Sequence, residues 1–344
     1  MPCVAAWKDC YKPVDGFLNL YKPSGWTSHD CVAKVRRILR QKKVGHGGTL
    51  DPMATGVLPI ALGRATRLIQ YLPGDKAYAA TVRFGVTTTT DDIEGEILTE
   101  RSTATLTRDA AIAAIPQFIG TIDQIPPKYS AIQVEGKRLY DLARSGVEVD
   151  VPVRTVKVMA IAIGAWRDGD RPELDLTITC GAGTYIRAIA RDLGEAIGTG
   201  ATLAQLERIR SSGLDLASSL SLEELAMQAE SASFCPISPN LALAGLPMIT
   251  IAGEIAQRWR LGQAVTIDPA VLEAWRDQNQ DGVQKEQTTD LDLTELTDLT
   301  DPANLIELSH ALVRVCDPIG EFLGIGRFSL SEARLSPKMV YLPA

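Results

Sequence analysis

The chain has 344 residues, of which 45% are hydrophobic, enough to fill a core in each of two domains and too apolar for a disordered chain. No window approaches the roughly 18 consecutive apolar residues of a membrane span, and the start Met1-Pro2-Cys3-Val4-Ala5-Ala6-Trp7-Lys8-Asp9 lacks a basic stretch followed by an apolar one, so a cytoplasmic protein is expected. The formal charge of −7 excludes a nucleic-acid partner only in bulk: eleven acidic residues from Asp268 to Glu307 stand against Arg276 and Lys285, a local −9 that leaves +2 for the rest.

Residues 16–21 read as a strand, and Lys22-Pro23-Ser24-Gly25-Trp26 as a turn. Thr27 or Ser28 then caps a helix whose Val32, Val35, Ile38 and Leu39 recur at helical spacing and which ends before Gly45. A glycine-rich loop holding Asp51 follows. Residues 56–62 read as a buried strand despite Pro59, residues 64–72 as a helix, and Tyr78, Ala80, Val82 and Phe84 as one face of a strand. The polar run 87–95 reads as a loop, a helix returns near Thr107, and an extended segment begins at 125–129. A short helix is predicted over 138–145, closed by Gly146, with strands over 151–166 and 174–179. Gly181-Ala182-Gly183-Thr184 turns into a helix with a buried stripe of Ile186, Ile189, Leu193 and Ile197 and a stop at Gly198. Helices and strands mix without a βαβ repeat, which predicts an α+β domain with a mixed, largely antiparallel sheet flanked by helices.

Ser221-Leu222-Glu223-Glu224 is a capping-box signature, and Pro236, Pro239 and Pro247 mark a linker with a boundary near Ala244. This divides the chain into a larger domain over 1–244 and a small β-rich domain over 245–344. The latter is read from short apolar runs at 248–251, 264–267, 305–308, 312–316 and 322–328. Between them, 277–301 is an acidic low-complexity insertion expected to be mobile. The six cysteines form no Cys-x-x-Cys pair, which argues for reduced, mostly buried thiols. Basic residues gather at Lys34, Arg36, Arg37, Arg40, Lys42 and Lys43, at Lys128, Lys137 and Arg138, and at Arg187, Arg191, Arg208 and Arg210. Such clusters are solvated faces or contacts for a phosphate backbone.

The chemistry is expected at Asp51. Glycine permits close backbone approach, and Pro52 fixes the turn and withholds an N–H, so one carboxylate is presented by a stiffened loop; the same residues also make an ordinary Asx turn. Arg187 stands in the first turn of its helix, where the macrodipole favours acids. Either it points into water or it pairs with a carboxylate, and a pair with Asp51 would hold that group ionised, as a nucleophile requires. Tyr78, Tyr185 and His46 are candidate partners, or else partly buried tyrosines and a backbone-bonded loop histidine. Other chemistries lack their residues. No P-loop or dinucleotide fingerprint is present, no His-Glu-x-x-His or cysteine pair offers a metal site, and Gly-x-Ser-x-Gly is absent. An aspartyl-phosphate loop at Asp51 would lack a second acid at 53 and a lysine at 52.

Taken in order, five motifs are recognisable together: residues 16–28 (Gly-Phe-Leu-Asn-Leu-Tyr-Lys-Pro-Ser-Gly-Trp-Thr-Ser), 45–56 (Gly-His-Gly-Gly-Thr-Leu-Asp-Pro-Met-Ala-Thr-Gly), 75–78 (Asp-Lys-Ala-Tyr), 136–144 (Gly-Lys-Arg-Leu-Tyr-Asp-Leu-Ala-Arg) and 183–187 (Gly-Thr-Tyr-Ile-Arg). In these the chain closely resembles the TruB family of bacterial tRNA pseudouridine synthases, which act on uridine 55 in the T arm. The resemblance implies a pseudouridine-synthase-like catalytic domain and, from Phe322-Leu323-Gly324-Ile325-Gly326 and Pro337-Lys338, a PUA-like RNA-binding C-terminal domain. It makes Asp51 the nucleophile, sets Tyr78 beside the target base with a part in proton transfer, and pairs Arg187 with Asp51. Tyr185 and Leu206 line the pocket, and His46 helps occupy the space left by the flipped base. No cofactor or metal is implied; the partner is the tRNA T-arm stem-loop, and a monomer is expected. Two positions depart from the family pattern: Tyr21 stands where aspartate is more frequent, and Glu207 where a basic residue is. An RNA-remodelling module without chemistry, and magnesium-dependent phosphoryl transfer, are the rival readings.

Overall fold

The computed structural model describes residues 14–130, 133–134, 137–138, 151–268 and 311–342. Two compact units emerge: Leu18–Cys235, and Pro236–Ala344 together with Val14–Phe17. The division falls ahead of Ala244 because the proline-marked stretch is structured rather than a linker. Phe17 and Ile237 exchange two backbone hydrogen bonds of 2.8 Å.

Strand β1 (Gly16–Lys22) leads into α1 (Ser28–Ile38), whose start is set by a reciprocal cap. Asp30 N–H donates to Thr27 Oγ1 at 3.1 Å, and Thr27 N–H to Asp30 Oδ2 at 3.0 Å. Next come β2 (Val44–His46), β3 (Thr55–Leu62), a 3-10 helix over Gly63–Tyr71 where a helix is predicted, and β4 (Lys76–Phe84). The polar run 87–95 is not an open loop. Strands β5 (Val86–Thr88) and β6 (Ile97–Glu100) pair around it, and Asp92 satisfies the turn from within, its Oδ1 accepting from Glu94 N–H at 3.1 Å. Then follow α2 (Arg108–Ala113), capped by Thr107, β7 (Gly120–Gln124), β8 (Gln133–Val134) and β9 (Lys137–Arg138). The helix predicted over 138–145 lies outside the described residues except for Arg138, which stands in β9.

Strands β10 (Arg154–Arg167) and β11 (Glu173–Cys180) match the patterning, as does α3 (Ile186–Ile197), which stops at Gly198 with φ of 87°. Patterning does not predict β7 or β12 (Ala201–Ser211); β12 precedes β13 (Leu214–Asp215) and α4 (Leu222–Glu230). The main sheet runs β1-β3-β12-β4-β11-β10-β7, with β2 beside β3 and β13 beside β12. Strand β12 lies parallel to β3 and antiparallel to β4, and the pairs from β4 through β11 and β10 to β7 are antiparallel, giving the mixed, largely antiparallel sheet of the α+β class. Ile186, Ile189 and Leu193 of α3 share one core with Val82, Leu176, Ile178 and Leu203 of the sheet. Each such side chain contributes about 1.5–3 kcal/mol of apolar burial, so α3 and the residues at its start are firmly placed over the strands.

In the second unit α5 (Pro239–Ala242), β14 (Met248–Thr250), α6 (Gly253–Arg260), β15 (Val265–Thr266), β16 (Ala311–Cys316), β17 (Phe322–Ser329) and β18 (Arg334–Val340) form a small β-rich domain with sheet order β14-β16-β17-β18-β15. Helix α6 is not predicted by the sequence pattern. It delivers the fully buried Trp259, whose indole N–H donates to Leu323 O at 3.1 Å. The apolar run 305–308 and the acidic insertion 277–301 lie outside the described residues. Cys31, Cys180 and Cys316 are buried thiols, and Cys235 is exposed. No helix among the described residues is long and apolar enough to cross a membrane.

Candidate active site

The loop between β2 and β3 is held from several directions. Leu50 N–H donates to Ser28 Oγ at 2.9 Å, Gly25 N–H to Pro52 O at 2.8 Å, and Gly47 N–H to Pro59 O at 2.8 Å. The ammonium of Lys22, a residue with no exposed surface, donates to Pro23 O at 2.9 Å and Pro52 O at 3.1 Å. Burial lowers its pKa to about 8. The equally buried Arg208 of β12 donates to Val57 O at 2.7 Å, Gly48 O at 3.1 Å and Thr49 O at 3.3 Å. Gly56, at φ of 101°, lets β3 close on β12: a Cβ there would sit 2.3 Å from Arg208 O.

Asp51 is presented at the mouth of this frame. Arg187 Nη2 donates to Asp51 Oδ1 at 3.0 Å, and its Nε lies 3.0 Å from Oδ2. The same guanidinium donates to Thr90 O at 2.9 Å and Tyr129 O at 3.0 Å, and its Nη1 lies 3.4 Å from Asp92 Oδ2. The Arg187 and Asp92 side chains are each 5% exposed, whereas that of Asp51 is 33% exposed, so the carboxylate offered to a substrate is Asp51. Burial pushes the Asp51 carboxyl above the ordinary value; Arg187 pulls the other way and Asp92 adds to the rise. The pair predicted from the sequence is therefore present, but Arg187 offsets desolvation rather than driving Asp51 below the usual carboxylate range.

A cavity of about 720 Å³ opens over Asp51, lined among others by Lys76, Tyr78, Tyr185, Arg187 and Leu206. Tyr78 lies opposite Arg208 in the β4–β12 register, and Leu206 opposite Ala80. Burial raises the Tyr78 hydroxyl, which is hydrogen-bonded to Arg208. Tyr185 forms the N-cap of α3, its backbone N–H donating to Gln124 Oε1 at 3.0 Å, and burial raises its hydroxyl too. His46 is not among the lining residues and is not on a loop. It ends β2 opposite Ile60, its ring edge-on to that of His29 with centroids 5.2 Å apart, and burial lowers its pKa; His29 does line the cavity.

One basic grouping read from the sequence is split by burial. Arg187, Arg191, Arg208 and Arg210 do not form one exposed cluster. Arg191 pairs with Asp91 at 2.9 Å and Asp192 at 2.8 Å, Arg210 approaches Asp75 at 3.5 Å, and Arg187 and Arg208 turn inward as described. Arg187 and Arg208 belong to the core, whereas Arg191 and Arg210 are partly exposed.

The family model for the TruB family pseudouridylate synthase N-terminal domain matches residues 36–186. The tRNA pseudouridine synthase B of Nostoc sp. is 59% identical over 74% of this chain and 87% of its own length. That of Synechococcus elongatus is 46% identical over 95% of this chain and 98% of its own. The chain belongs to the TruB family. A solved Cbf5-Nop10-Gar1 complex shares the fold, with a TM-score of 0.64 over 95% of this chain and 85% of that one at 24% identity. Two positions singled out in the sequence of this TruB-family chain touch each other: Tyr21 Oη donates to Glu207 Oε1 at 3.2 Å. Three residues of the site escape sequence reading: Asp92, masked by a polar run; Lys22, whose burial no period signals; and Arg208, a charge in the middle of a strand. Among the described residues no cluster of three or more potential metal ligands occurs.

Proposed function

We propose that this chain isomerises uridine 55 in the T-arm loop of tRNA to pseudouridine, by base flipping and a covalent intermediate on Asp51. The observation that carries the reading is a part-exposed carboxylate gripped by a buried arginine, in a cavity walled by Tyr78, Tyr185 and Leu206. Relatives named tRNA pseudouridine synthase B supply the substrate class. The reaction breaks N1–C1′, turns the uracil and joins C5 to C1′, with no redox change and no net hydrolysis. An Asp51 oxygen adds at C1′ or at C6 of the base, holds the nucleotide while the ring reorients, and departs as the free carboxylate. Over the cycle C5 gives up one proton and N1 takes one; Tyr78 covers the base and relays it. Flipping costs a few kcal/mol, offset by stacking and by phosphate contacts from the exposed cations of α1 and Lys128. His46 and its neighbour His29 fill the space the base leaves, and the β-rich C-terminal domain adds RNA contacts.

Nucleoside analysis of a T-arm hairpin incubated with enzyme and chelator tests this. Wild-type protein forms pseudouridine without magnesium, and Asp51→Asn binds the hairpin but lowers turnover at least about 10⁴-fold. Turnover retained by Asp51→Asn sinks the mechanism. Binding without product from the wild-type protein sinks the reaction itself.

A further inference from the structure

Lys76 opens β4 and lines the cavity two residues before Tyr78, on the same face of the strand. Among the described residues its ammonium makes no ion pair and no hydrogen bond. Burial and the nearby charge of Arg208 both press its pKa below the ordinary lysine value. A methyl group placed on Gly48 would lie 3.6 Å from Lys76 Nζ and 3.6 Å from Arg208 Nη1, so the two cations converge on the base of the Asp51 loop. Arg208 is spoken for by three carbonyls and the Tyr78 hydroxyl. Three further cations near the cavity are likewise engaged: Arg187 by Asp51 and Asp92, Arg191 by Asp91 and Asp192, Lys22 by two carbonyls. Among the described residues Lys76 alone of these is a half-buried charge beside another charge of the same sign with no carboxylate or carbonyl bound to it, the nearby Cys180 thiol being its one electrostatic counterweight. That arrangement is costly in the free protein and is relieved by an anion.

We infer that Lys76 binds a backbone phosphate of the RNA adjacent to the uridine that enters the cavity. Strand β4 then holds one nucleotide at two points about 7 Å apart along the strand, the base by Tyr78 and the phosphate by Lys76. A charge-assisted bond from an ammonium to phosphate oxygen needs no fixed plane, so an arginine at the same position preserves much of it. The inference rests on the proposed reaction with RNA, and the test separates the two.

The probe is a T-arm hairpin, compared with the same hairpin carrying neutral methylphosphonate linkages on both sides of the target uridine. Wild-type protein binds the neutral version about tenfold more weakly, the size of one charged hydrogen bond. Lys76→Met binds both hairpins alike, Lys76→Arg restores the discrimination, and the slope of log affinity against log salt for the unmodified hairpin falls by about 0.7 in Lys76→Met. Discrimination by Lys76→Met equal to that of the wild type, or an unchanged salt slope, overturns the assignment. Equal binding of the two hairpins by the wild type also overturns it, and that measurement needs no variant to fold. Pseudouridine is scored in the same wild-type samples: its absence overturns the reaction, whereas product without discrimination overturns only the role of Lys76.

Discussion

Arg187 faces two carboxylates, and Asp92 is the one that changes how Asp51 titrates. Its Oδ2 lies 3.4 Å from Arg187 Nη1 in a nearly dry position, so its charge acts on Asp51 through little solvent and raises that carboxyl. In the proposed mechanism Asp51 attacks as the ionised carboxylate, so the rate is expected to fall as pH drops through its pKa. Removing a neighbouring negative charge favours the ionised form and lowers that pKa. Asp92→Asn is therefore predicted to move the acid limb of kcat/KM to lower pH, as read from pH–rate profiles on a T-arm hairpin. A limb that stays in place or moves upward contradicts the electrostatic account. Asp92 was hidden in the sequence because four threonines and a glycine around it spell a solvated turn. Only the bridge that sets it beside Leu203 of β12 brings it under Arg187. The Asp51–Arg187 contact was legible because an arginine at the start of a helix is electrostatically out of place and needs a reason.

At the level of elements, periodicity was enough for α1, β4 and α3, apolar runs and strand-forming composition for β1, β3, β10 and β11, and the glycine and proline content located the loop between β2 and β3. Strand β12 was not legible although it is central, because Glu207 and Arg208 interrupt its apolar pattern. Arg208 tolerates full burial only by spending its donors on Gly48, Thr49 and Val57 carbonyls, which no spacing reveals. Lys22 is the comparable case at the end of β1, tying that strand to the loop through Pro52 O. Its pKa is about 8 in the folded protein against an ordinary 10.5. Between those values the unfolded chain keeps a proton that the native state has released, so this residue's contribution to stability rises with pH across the window. Urea unfolding from pH 7 to 10 should show the stability of the wild type gaining on Lys22→Met by up to about 1.4 kcal/mol per pH unit above pH 8. A constant difference across that range would mean that burial does not depress the lysine.

For the whole molecule, net charge is the quantity that bulk composition conceals. Residues 277–301 carry eight acids and one lysine, so the chain without them has a formal charge of zero. With Arg187, Arg191 and Arg208 committed to carboxylates and carbonyls, the exposed cations available to RNA include those of Lys34, Arg37, Lys42, Lys43 and Lys128. These must attract a polyanion against the field of the acidic segment, which reaches across a screening length of about 10 Å at 0.1 M salt and about 3 Å at 1 M. Deleting 277–301 is therefore predicted to tighten T-arm hairpin binding several-fold at 50 mM salt, an effect of roughly 1 kcal/mol. The gain should shrink as salt is raised, while turnover at saturating RNA stays unchanged because Asp51, Arg187 and Tyr78 are untouched. Fluorescence-anisotropy titrations across a salt series, paired with single-turnover rates, check both parts. If the deletion weakens binding at every salt concentration, the segment makes attractive contacts with the RNA and the repulsion argument fails; a fall in the saturated rate would instead link it to the catalytic step.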